Sequence, residues 1–149
     1  MTDNELSGDD VAAVKDLIAN SELRSVEYYE LSAQRADAAP KVSEGPEDAE
    51  LSITVEQRRD DDSFGVRLVA NVAISVGSAT ASVAGEYALL NGHQPSVRTL
   101  QLFTNEVGVM TVFPYLREAI ASCTSRVFGQ PLQLPTVERG QIAVNVDPR

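Results

Sequence analysis

The chain has 149 residues and a formal net charge of −10, a length that suits one domain around a single modest core. That charge argues against nucleic-acid recognition, which needs clustered Lys and Arg, and no apolar run reaches the roughly 18 residues of a membrane span. The lone cysteine cannot form an intrachain disulfide, and the start Met1-Thr2-Asp3-Asn4-Glu5-Leu6 lacks the cationic and apolar parts of a secretory leader. The expectation is a soluble cytoplasmic domain.

Residues 1–8 are polar and acidic and are expected to be mobile. From Asp9 or Asp10 a short amphipathic helix follows, its acids at the positive N-terminal end and Val11, Val14, Leu17 and Ile18 on one side. Residues 1–20 are therefore read as a tail with a short helix, and 21–149 as one domain. Ser21 to Ala36 reads as a long first strand. Strict alternation puts Leu23, Ser25, Glu27, Tyr29, Leu31 and Ala33 on one face, and Val26 and Tyr28 on the other. A loop rich in Pro, Gly and acids spans 37–48.

The second strand alternates Leu51, Ile53 and Val55 with Ser52, Thr54 and Glu56, as expected where one face is solvated. The third places Val66, Leu68, Ala70, Val72, Ile74 and Val76 together, and the fourth Ala79, Ala81, Val83, Gly85, Tyr87 and Leu89. Their short polar connections favour antiparallel neighbours, because parallel pairs need a long crossover. Ser96 then caps a helix, which Gly108 is expected to break. A second helix opens near Thr111 with Pro114 in its first turn. Its apolar residues Leu116, Ala119, Ile120, Cys123 and Val127 recur at three- and four-residue steps. Gly129 marks its end, Pro131 and Pro135 flank Leu132-Gln133-Leu134, and the alternation of Ile142, Val144 and Val146 reads as a short final strand. The fold class is α+β: a four-stranded antiparallel sheet backed by two C-terminal helices.

Nothing in this order carries catalytic chemistry. His93, the single histidine, sits in a turn without the partners that a metal or catalytic role needs. Cys123 lies on an apolar helix face with no base to activate it. Asp60-Asp61-Asp62 lacks the spaced oxygens and glycine of a calcium loop, and phosphate-binding glycine loops are missing. The reading is a non-enzyme without metal or cofactor. What remains is apolar surface: both faces of the first strand carry apolar groups, and small residues flank the face of the last helix. An oligomer and coverage within the monomer both remain open explanations.

The stretch Phe113-Pro114-Tyr115-Leu116-Arg117-Glu118, the close at Ser125-Arg126, and the loop Pro131-Leu132-Gln133-Leu134-Pro135 together resemble the signature helix and following loop of the SecB family of export chaperones. Leu116 stands where the family has a small residue. The resemblance spans roughly residues 22–140 and is specific at residue level between Phe113 and Pro135. It implies a dimer of dimers, a homotetramer, acting as an ATP-independent holdase for unfolded client polypeptides, including preproteins for Sec-dependent export. By position it implies a client groove drawing on Val26, Tyr28, Leu31, Val42, Leu132 and Leu134. Docking of the SecA motor would fall to Glu27, Glu30 and Glu86, and the oligomer or core helix would use Tyr115, Leu116, Ala119, Ile120 and Cys123. The family's long last helix and its acidic tail for SecA have no counterpart before Arg149, which weakens the SecA expectation. A dedicated antitoxin chaperone and a non-chaperone oligomeric adaptor stand as alternatives.

Overall fold

The computed structural model describes residues 6–37 and 49–148, so most of the loop after the first strand, Val42 included, lies outside the described residues. Helix α1 (Gly8–Ala19) starts from a reciprocal cap, with Ser7 Oγ accepting from Asp10 N at 3.1 Å and Asp10 Oδ2 accepting from Ser7 N at 3.3 Å. Two N–H groups that a helix start leaves unpaired are satisfied in this way. The buried face differs from the expected one: Asp10, Val14 and Leu17 point inward, while Val11 and Ile18 are exposed. The cause is Asp10, whose two carboxylate oxygens receive Nε and Nη2 of Arg98 at 3.1 and 2.9 Å. That pair turns the acidic side of α1 toward its neighbour.

Strands β1 (Ser21–Arg35), β2 (Glu50–Arg59), β3 (Ser63–Ile74) and β4 (Gly77–Leu89) form one antiparallel sheet in the order β1-β4-β3-β2. β1 and β2 are therefore its edges. Alternation along β1 is not strict. Register shifts between Leu23 and Ser25 and between Tyr28 and Glu30 each admit an extra residue, and each resets which face the following side chains occupy. Leu23, Val26, Tyr28 and Leu31 thus pair with Tyr87, Gly85, Val83 and Ala81 and share the inner face. A bulge-free strand would have set Tyr28 and Leu31 on opposite faces.

Helix α2 (Val97–Phe103), capped by Ser96 Oγ on Thr99 N at 3.0 Å, continues through a π-helical turn, Thr104–Gly108, into α3 (Val109–Phe128). The expected break at Gly108 does not occur. Gly108 keeps right-handed helical angles, and a Cβ there would stand 2.8 Å from Val66 Cγ2. Its glycine lets the helix lie close on β3. Pro114 likewise sits inside α3 rather than in its first turn. The helical bond that its missing N–H forgoes belongs to the carbonyl of Met110, and Met110 is exposed, where water can serve that oxygen. Gly129 ends α3 with φ of 83° and its N–H on Ser125 O.

α3 packs on the inner face, burying Val112, Leu116, Ala119 and Ile120 against Leu68, Ala70, Ala81 and Val83. A second cluster at the α1 end stacks Phe64 on Tyr87 with centroids 4.7 Å apart, and Phe103 meets both edge-on at 5.3 Å, the offset geometry that aromatic quadrupoles favour. The expected final strand is not one. Residues 142–147 join no ladder among the described residues, and side chains of the helical segment take up main-chain groups of Val144 and Asp147.

Candidate functional site

The bulges of β1 gather an exposed apolar strip on the inner face, at an edge that α3 only partly covers. Tyr28 is 46% exposed, Leu31 52% and Leu23 38%, and on the α3 flank Tyr115 is 41% and Met110 38% exposed. Val26 is half-buried beneath them. Tyr28 and Tyr115 are neighbours: burial raises the pKa of the Tyr28 hydroxyl, and Glu118 and Tyr115 add to the rise. Along the same edge, β1 has a strand neighbour on one side only among the described residues, and the N–H and C=O groups of its other side have no ladder there. The arrangement offers apolar area, two aromatic rings with polar tips and a free strand edge. Those features suit an extended, apolar polypeptide.

The loop after α3 behaves differently from the expectation. Leu134 is 1% exposed and packs in the main core with Val137, so it is not a surface contact. Leu132 is half-buried, and its N–H donates to Thr124 Oγ1 at 2.8 Å, while that hydroxyl donates to Ile120 O at 2.6 Å. The buried Thr124 pins the proline-flanked segment inward, and Leu134 joins the main core. Of the helix residues, Leu116, Ala119 and Ile120 are buried within the single chain, Tyr115 faces outward, and Cys123 is half-buried. Burial raises the pKa of the Cys123 thiol, in keeping with a packing role.

Glu27, Glu30 and Glu86 all lie on the outer face, where Glu27 and Glu30 stand opposite Ala84 and Ser82. Glu27 and Glu30 are exposed. Glu86 is engaged: Arg58 bridges it to Asp60, and Tyr29 OH donates to its Oε2 at 3.3 Å. Arg67 lies 4.7 Å over the Tyr29 ring and donates from Nε to Ser82 Oγ at 2.6 Å. The outer face is thus a knitted polar surface rather than an open acidic one. Among the described residues no group of three or more His, Cys, Asp and Glu is placed to hold a metal, and no helix is long and apolar enough to cross a membrane. The sequence marks Leu23 only as a strand residue and does not single out Met110 of α3. The bulge that turns Leu23 onto the face of Val26 and Tyr28 leaves no signature in residue type.

No family model matches the chain. It is 32% identical over 130 residues to the SecB-like chaperone SmegB of Mycolicibacterium smegmatis, covering 87% of this chain and 84% of that protein. Its fold matches that of the Mycobacterium tuberculosis Rv1957 SecB-like chaperone, solved in complex with a ChAD peptide from the Rv1956 HigA1 antitoxin. The TM-score is 0.70 at 20% identity, with 86% of this chain and 98% of that one covered. The sheet, the helical segment backing it and the sequence likeness across most of both chains agree: this chain belongs to the SecB-like chaperone family.

Proposed function

We propose that this SecB-like chaperone is an ATP-independent holdase that captures unfolded polypeptide on the strip of Leu23, Tyr28 and Leu31 with Tyr115 and Met110. The observation that carries this reading is the exposed aromatic and aliphatic row beside an unpaired strand edge. Side chains supply affinity by apolar burial, and the edge supplies hydrogen bonds to any extended main chain, so recognition tolerates many sequences. The net charge of −10 keeps a loaded complex soluble. In this reading the working assembly is a cytoplasmic homotetramer. Light scattering of an aggregating client tests it: suppression at stoichiometric chaperone is expected, and none at any ratio would refute it.

An antitoxin segment is the client class we favour over preproteins handed to SecA. The Rv1957 relative is seen with an antitoxin peptide, and on this chain Glu86 is already engaged by Arg58 and Tyr29, while Glu30 accepts from Ser32 Oγ at 3.1 Å. A pull-down from cells separates the two. One dominant small partner supports the antitoxin, and a broad set of exported proteins with SecA supports export.

A further inference from the structure

Val144 and Asp147 are held by their main chain, and by one row of side chains. Asn105 Nδ2 donates to Val144 O at 3.0 Å, and Asn105 Oδ1 accepts from Val144 N at 2.8 Å. The amide closes on that residue at both groups, as a neighbouring strand would. Gln101 Oε1 accepts from Asp147 N at 2.7 Å, and Arg98 Nη1 donates to Asp147 O at 2.6 Å. Positions 98, 101 and 105 follow each other at helical spacing, so they form a row along one side of the helical segment. The tail runs antiparallel to it, with Val144 at the Asn105 end and Asp147 at the Arg98 end. Ile142, Val144 and Val146 are half-buried, while Ala143, Asn145 and Asp147 are exposed. None of the four hydrogen bonds uses a tail side chain.

We propose that Arg98, Gln101 and Asn105 form a backbone-reading site for an extended polypeptide with apolar residues at alternate positions. The segment Ile142–Asp147 is then the chain's own occupant, a strap that such a client displaces. The inference rests on the holdase reading, and it adds a second contact region away from the β1 strip. Thr104, between Gln101 and Asn105, lies against Gln57 of the opposite edge strand β2. The site commits to this occupant because the seated tail displays what it accepts: main-chain N–H and C=O groups outside any ladder and an every-other-residue apolar pattern. A tethered strap competes at an effective concentration on the order of millimolar, so weakening it raises client affinity without touching the row.

The test uses the full chain and a short synthetic peptide of alternating serine and valine, with the same peptide N-methylated at its central valine as control. Hydrogen exchange of the Val144 and Asp147 amides is followed by NMR. The plain peptide is expected to speed exchange at both, and the N-methylated one to leave both protected. Val144→Pro removes the strap's donor to Asn105 and is expected to tighten peptide binding about threefold to tenfold, whereas Asn105→Ala weakens it by a similar factor. Binding that leaves both amides protected overturns the strap while leaving the holdase reading intact. No peptide binding together with no suppression of client aggregation overturns both. Protection that changes with protein concentration and not with peptide would make the occupant a second copy, and that also overturns the proposal.

Discussion

Leu134→Ala separates a structural loop from a client groove. The Leu134 side chain is 1% exposed and packs in the main core beside Val137. Removing its branched end forfeits the transfer energy and leaves a cavity, typically about 2–5 kcal/mol for such a substitution. The loop hangs from α3 through the Leu132 N–H to Thr124 bond and can partly collapse, which places the loss near the lower end, about 2–3 kcal/mol. For a chain of this size that lowers Tm by about 5–10 °C. The assay is thermal unfolding at fixed protein concentration, since any assembly makes Tm concentration-dependent. Client capture well below the new Tm is expected to be unchanged. An unshifted Tm with lost capture would mean that Leu134 faces the client, and the placement of the loop in the core would be wrong.

On the strip, Tyr28→Asp and Tyr115→Asp are expected to weaken suppression of client aggregation severalfold with little change in Tm, because both side chains are about half exposed; a fall in Tm comparable to that of Leu134→Ala would show them to be core. Arg98→Ala leaves Asp10 buried without its bidentate partner, so amide protection across α1 should drop first, as read by hydrogen exchange. Burial raises the pKa of the Tyr87 hydroxyl above its ordinary 10.0, with the Thr111 side chain opposing the rise. The folded state then holds this proton more tightly than the unfolded one, so its stabilisation is complete below about pH 10 and is lost as pH climbs through the raised value. Alkaline titration of wild type against Tyr87→Phe checks this, the variant showing the smaller loss. Cys123, with its thiol pKa raised by burial, should alkylate more slowly than a free thiol at pH 8, and chemical denaturation should abolish the difference.

Much of the fold was legible in residue order. Alternation in β2, β3 and β4 marked strands because a sheet with one covered face needs apolar groups at every second position. The three- and four-residue spacing from Leu116 to Ile120 marked the buried side of α3 for the same reason at helical period. Glycine and proline were less telling. Gly108 looked like a stop and is a close-packing position against Val66, while Pro114 looked like a start and sits in the helix interior. The same residue types serve conformation and clearance, and only the neighbour across the gap tells which.

The chain on its own determined an acidic α+β molecule, because composition and periodicity are properties of residues taken in order. The tertiary structure decided which of its apolar residues meet water. Two bulges in β1 brought Leu23, Tyr28 and Leu31 to one face, the Thr124 hydroxyl drew Leu134 into the core, and Asn105 claimed the main chain of Val144 before a sheet edge could. Each outcome turns on a hydrogen bond or register between residues distant in the chain, and local pattern carries no record of such partners.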